Sequence, residues 1–138
     1  MMAELNIFQI AGRAMSAQQV RLNAVASNLA NAGSITNSQD TAYRAMRPVF
    51  ETEYAAFNKN PGVATVSAVA IERSQAAPEK RYSPGHPLAD DQGYIFATNV
   101  DTNEEMVEMM EAARQYQNNI EVIATAKSLM LKTLSVGK

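Results

Sequence analysis

The single histidine, His86, stands in Pro84-Gly85-His86-Pro87, with Asp90 and Asp91 close behind. A histidine beside carboxylates has the parts of a metal ligand or a general base, so a hydrolase using His86, Asp90 and Asp91 is the enzymatic reading. The same residues, set between prolines and a glycine, also make a polar turn. One histidine and no cysteine give no metal-binding spacing, and no glycine-rich phosphate loop, nucleophile elbow or zinc-binding His-Glu pair is present. The turn is the better reading, and no catalytic residue, metal or cofactor is expected.

Other residues invite weaker chemical readings. Glu104, Glu105, Glu108 and Glu111 resemble an acidic metal site, but carboxylates at the start of a helix are explained by its dipole. Four of the eight methionines, Met106, Met109, Met110 and Met130, suit an adaptable groove or a helical seam, and a seam between subunits satisfies both. The basic residues Arg44, Arg47, Arg73, Lys80 and Arg81 are dispersed rather than clustered as phosphate contact requires.

Two long segments must position these residues. Residues 4–32 contain no proline and repeat every seven positions at Phe8, Met15, Leu22 and Leu29, with a second row at Ala11, Gln18, Val25 and Ala32. The spacing predicts one helix with a heptad seam interrupted by Gln18. Gly12, beside Ala11 and Ala14, suggests close approach of a partner backbone, and Gly33 is placed to end the helix with a positive φ. Such a helix, about 43 Å long, exceeds a compact domain of this size and needs a long partner.

That partner is the second proline-free run, residues 103–134, which Thr102 and Glu105 are expected to open as a capping box. One row of its seam is Met106, Ala113, Ile120, Lys127 and Leu134. The other is Met109, Tyr116, Ile123 and Met130. Between the helices the period falls to two. Residues 43–50 and 63–71 alternate, Tyr94-Ile95-Phe96 is a short aromatic strand, and Asn60-Pro61-Gly62, Ser83-Pro84-Gly85 and Asp91-Gln92-Gly93 are turns. The fold class is α+β: long N- and C-terminal helices form an antiparallel coiled-coil pair, with a small β-rich domain of four to six short strands inserted. Residues 1–33 with 102–138 make the helical assembly domain, and residues 34–101 the insert.

A length of 138 residues, 46% hydrophobic and 19% charged, fits one globular domain. A net charge of -2 offers no pull toward nucleic acid or anionic lipid. Glu4, Asn6 and Gln9 interrupt the apolar residues near the N-terminus, so no cleaved signal peptide is expected, and no apolar run is long enough for membrane insertion. Two long helices with a small insert cannot cover both seams in a monomer. The residues alone therefore point to a self-associating helical protein.

Ser27-Asn28-Leu29-Ala30-Asn31, a polar loop and then Tyr43-Arg44 resemble the N-terminal signature of the flagellar rod and hook axial proteins. Pro84-Gly85-His86-Pro87-Leu88-Ala89-Asp90, Gly93-Tyr94, Asn99-Val100-Asp101 and Arg114-Gln115-Tyr116-Gln117-Asn118-Asn119-Ile120 resemble its proximal-rod members. The resemblance spans nearly the whole chain, with Thr98 where proline is usual. It implies terminal helices that polymerise into a hollow axial drive shaft, carrying torque through the periplasm from motor to hook. It also implies export by the flagellar type III apparatus without a cleaved signal. Implied partners are the chain itself, other proximal- and distal-rod subunits, and an adaptor joining rod to export gate or membrane ring.

The alternative is a free-standing coiled-coil adaptor or secretion chaperone, with termini already folded. Helical seams gain most of their stability from packing, so the rod reading expects ends that fold on assembly. Hydrogen exchange on the monomer should then be fast before Gly33 and after Asp101, and slower near Val63 to Ile71 and Tyr94 to Phe96. Protection throughout both terminal segments would favour the adaptor.

Overall fold

The computed structural model describes the backbone over residues 2–54 and 64–137, and side chains over 7–52 and 64–137. It is α+β. Helix α1 spans Met2–Ala30 and helix α2 spans Thr102–Val136. Five strands lie between them: β1 (Ile35–Thr36), β2 (Met46–Tyr54), β3 (Ala64–Arg73), β4 (Glu79–Tyr82) and β5 (Tyr94–Ala97). Both helices packing against each other accords with the heptad patterning, and the expected turn at Asn60-Pro61-Gly62 lies outside the described residues.

The strands form two separate antiparallel sheets. β1, β5 and β4 make one, in that order, and β2 with β3 makes a long hairpin. The hairpin register shifts after Val49, which faces Ala70, to Phe50, which faces Ala68, so Val69 is the extra residue of a bulge. β2 begins at Met46 rather than Tyr43, because residues 43–45 serve as a bridge to other elements. The hairpin lies against α1, where the Arg13 guanidinium donates to Thr65 Oγ1 at 2.9 Å.

Three local expectations are corrected. Gly33 does not have a positive φ; among the described residues Gly93 does, at 82°. α1 instead ends through tightened turns, with the Asn31 N–H donating to the Ser27 and Asn28 carbonyls and the Asn31 side-chain amide donating to Ser27 O at 2.8 Å. α2 is not opened by a Thr102–Glu105 capping box. Asp101 is the N-cap, its Oδ1 accepting from the N–H of Asn103 at 2.8 Å and of Glu104 at 3.3 Å, and the Glu105 carboxylate is committed elsewhere. A Cβ on Gly12 would meet nothing within 4 Å, so among the described residues no backbone of this chain makes the close approach.

The interior is thin. Among the described residues the buried apolar ones are Ala11, Ala17, Ala24, Val25, Ala42, Ala45, Ile95 and Ala112, whereas the largest fully buried side chains are Glu105 and Asn28. The chain exposes 9620 Å², against about 7,000 Å² for a compact monomer of 15.0 kDa.

His86 and Asp90 hold the turn before β5. The Leu88 N–H donates to His86 Nδ1 at 3.1 Å, and Asp90 Oδ1 accepts from the N–H of Gln92 and Tyr94. A Cβ on Gly93 would lie 3.0 Å from Pro84 Cβ and from Tyr82 Cε2, in a conformation that disfavours any side chain. Gly93→Ala is expected to destabilise the free chain by about 1–2 kcal/mol in urea unfolding. Gly85→Ala, whose Cβ meets open space, should change little.

Candidate assembly interface

The two helices are joined to the strands by a buried polar cluster centred on Asn28, near the end of α1. Its side-chain nitrogen donates to Met46 O at 2.9 Å and to Glu105 Oε2 at 3.0 Å. Its oxygen accepts from the Met46 N–H at 2.7 Å and from the Tyr43 hydroxyl at 3.0 Å. Two donors and two acceptor positions are thus all used, so Asn28 bonds the first residue of β2 as a neighbouring strand would. Since the Tyr43 proton goes to Asn28, the Ser27 hydroxyl donates to the Tyr43 oxygen at 3.1 Å.

Glu105 brings a charge into this cluster with no exposed surface. Its second oxygen accepts from Arg47, which also lies 3.6 Å from Glu104. A buried carboxylate is tolerated when both oxygens are paired, and here one partner comes from α1 and the other from β2. Arg21 of α1 repeats the arrangement nearer the surface, pairing with Glu108 and standing 3.9 Å from Glu111. The four glutamates read as helix-end charges are therefore largely cross-element partners.

Asn99 ties the other end of the insert. Its Oδ1 accepts from the Ala45 N–H at 2.8 Å and its amide donates to Ala76 O at 2.9 Å. Asp101, two residues on, caps α2 as described above. Val100 sits between them, its N–H donating to Thr98 Oγ1 at 3.1 Å. Arg73 lies over the Tyr43 ring, 5.3 Å from its centroid, and donates to Arg44 O.

Two family models match the chain: "Flagella basal body rod protein" over residues 8–33 and "Flagellar basal body rod FlgEFG protein C-terminal" over residues 91–136. The matched stretches hold Asn28 and Glu105. Over 99% of its length and 100% of theirs, the chain is 51% identical to the flagellar basal-body rod protein FlgC of Salmonella typhimurium and 50% identical to that of Escherichia coli O6:H1. At the same coverage it is 46% identical to the FlgC protein of Yersinia enterocolitica. The chain belongs to the FlgC family of flagellar basal-body rod proteins. It is a structural rod subunit rather than an enzyme, its place is the basal-body rod, and it assembles with other rod components.

In this FlgC family member the motif residues divide by role. Asn28 is the buried hub, Ser27 and Asn31 support the end of α1, Leu29 is half-buried and Ala30 is exposed. Of the expected seam on α1, Val25 is buried, and Phe8, Met15 and Leu22 are half-buried. On α2 the row of Met109, Tyr116, Ile123 and Met130 is half-buried. The row of Met106, Ala113, Ile120 and Leu134 is exposed, and the other packed row is Glu105, Ala112, Asn119 and Ala126. Periodicity missed that row because it is poor in large apolar residues. The signals that mark it are two small alanines seven residues from a glutamate and an asparagine.

No helix is long and apolar enough to cross a membrane among the described residues, and there they contain no metal-binding group of three or more acidic, histidine or cysteine side chains.

Asn28→Ala would leave both polar groups of Met46 and one oxygen of Glu105 without a partner, an expected loss of about 3 kcal/mol. Tyr43→Phe should cost roughly 1 kcal/mol alone and much less in the Asn28→Ala background. Chemical unfolding of the four variants measures the coupling, and additive losses would remove Tyr43 from the cluster.

Proposed function

We propose that residues 1–33 and 102–138 act as one helical assembly domain, an antiparallel coiled-coil pair, and that this pair polymerises into the hollow shaft carrying torque from motor to hook. Residues 34–101 form the outer, β-rich part. The observation that carries this reading is the inverted economy of the chain, whose largest buried side chains are polar while Met106, Met110, Ile120, Leu131 and Leu134 stand exposed on α2. An apolar stripe of that length is stable in water only when neighbours cover it.

Partner positions support the antiparallel arrangement. Asn28 meets Glu105, Arg21 meets Glu108, and Ile7 shares a groove with Val122 and Leu129, so descending numbers on α1 meet ascending numbers on α2. Gln18 supplies a further hint. Its Oε1 is buried without a partner among the described residues, a cost of about 1–3 kcal/mol that a donor from a neighbouring subunit would offset. The other half of the proposal is export through the flagellar type III apparatus without a cleaved signal. Docking onto an adaptor between rod and export gate or membrane ring completes it. An order of folding that starts at the Asn28–Glu105 cluster suits such a route, because both helices then lengthen away from a fixed point.

Leu22 and Ile123 are half-buried seam residues. Leu22→Glu or Ile123→Glu would bury an unpaired charge in the assembled rod, at about 3 kcal/mol or more per subunit. Each variant, expressed in a strain deleted for the native gene, is expected to abolish swimming. Normal swimming by either would refute the seam.

A further inference from the structure

The arginines of the chain differ in how their charge is met. Arg21 pairs with Glu108, Arg47 with Glu105 and Arg81 with Glu79, and Arg13 bonds Thr65. Arg44, Arg73 and Arg114 have no ion-pair partner among the described residues. Arg114 is exposed on α2, where water serves a lone guanidinium well. Arg44 is half-buried, and a cation withdrawn from water without an anion beside it is costly.

Arg44 and Arg73 stand 29 residues apart in sequence, yet with Asn31, Ser34, Thr41 and Tyr43 they line one polar pocket of about 440 Å³. The fold thus gathers two of the basic residues that the sequence scatters. Its parts are held in place. The Arg73 guanidinium lies over the Tyr43 ring and donates to Arg44 O at 3.3 Å, which leaves most of its N–H groups to a ligand. Tyr43 is fixed in turn by its hydroxyl bond to Asn28, and Ala45, next after Arg44, by the bond from its N–H to Asn99. Ser34 adds a half-buried hydroxyl with no hydrogen bond among the described residues. Asp40 also lines the pocket without pairing with either arginine, so two guanidiniums and one carboxylate leave a single positive charge. One further carboxylate cancels that charge, whereas a phosphate group, at close to two negative charges, overfills it. A guanidinium fork also matches the two oxygens of a carboxylate.

We propose that the Arg44–Arg73 pocket receives the carboxylate of an aspartate or glutamate side chain from a different rod protein. The contact is made by the loop after α1 and the end of the β2–β3 hairpin, not by the terminal helices. A free small acid gains little here, because tight sites for small molecules enclose most of the ligand and this pocket is open to solvent. A carboxylate carried on a protein surface arrives with the rest of an interface, and the chain assembles with other rod components that bring such surfaces.

A zero-length carbodiimide reads this contact on the full chain in assembled basal bodies. Arg44→Lys and Arg73→Lys keep the positive charge and supply an amine. The amine and a touching carboxylate then join as an amide, and the carbodiimide takes up the water they lose. Basal bodies from cells of each variant are treated, digested and searched by mass spectrometry for linked peptides. Residue 44 or residue 73 is expected to be joined to an aspartate or glutamate of a different rod protein. Links only to Asp40 of the same chain, links only to another copy of this chain, or none at either position would overturn the proposal. Arg44→Gln provides an independent arm. Its urea midpoint as a free chain is expected to be no lower than that of the parent, since the guanidinium has no anion to lose, while swimming falls about tenfold by halo area. A lowered midpoint would mean that Arg44 is already paired within the chain, and unchanged swimming would mean that nothing seats there; either sinks the proposal. None of these failures would bear on polymerisation through the terminal helices, which the Leu22→Glu and Ile123→Glu variants test separately.

Discussion

Burying a carboxylate away from water is costly unless its oxygens are paired, and Glu105 has partners on two other elements. This requirement organises the chain. Asn28 must sit at the end of α1 to meet one oxygen, Arg47 must sit one residue into β2 to meet the other, and Glu105 must lie in the first turn of α2. Because Asn28 also bonds the backbone of Met46 and the hydroxyl of Tyr43, removing any element leaves groups unpaired in the others. The cluster therefore makes the joint between helices and strands specific without a large apolar core. Most of the buried apolar residues among those described are alanines, which permit close approach of backbones.

The remainder of the molecule is organised around leaving apolar residues outside. The rows of α2 that pack within the chain contain Ala112, Asn119 and Ala126, while bulkier Met106, Met110, Ile120 and Leu134 face outward. The polar joint fixes how helices and strands meet, and large apolar side chains are left over for association. A subunit made this way is held in one shape by hydrogen bonds and drawn into a polymer by burial. A chain that spent its large side chains on its own interior would have little surface left to drive assembly.

Much of this arrangement was legible in the residues. The seven-residue repeats located both helices to within two residues at every end, and the aromatic run Tyr94 to Phe96 and the alternating run to Ile71 marked β5 and β3. The strands β1 and β4 were not foreseen, because Ile35–Thr36 is too short to show a period and Glu79–Tyr82 has no apolar alternation. The helix ends were misread for one shared reason: Gly33 and the Thr102–Glu105 pair match common capping patterns, but Asn31 and Asp101 supply the caps through side-chain bonds. The hub was visible only as a motif. Nothing in the spacing of Asn28, Arg47 and Glu105 announces that three residues so far apart in sequence share one buried site, since a polar cluster has no period.

The sheets are as inhospitable to strangers as the helices are receptive. β4, the open edge of its sheet, reads Glu-Lys-Arg-Tyr and is exposed throughout, with Lys80 folded over the Tyr94 ring at 4.0 Å. β2 carries Pro48, which has no N–H to offer, and the bulge at Val69 kinks its partner. Unpaired strand edges are templates for indiscriminate pairing, and charge, proline and bulges are what blunt them. For a rod subunit that assembles with other rod components, this asymmetry amounts to quality control: the strand edges able to pair without order are dulled, while the apolar side chains of α2 stay exposed.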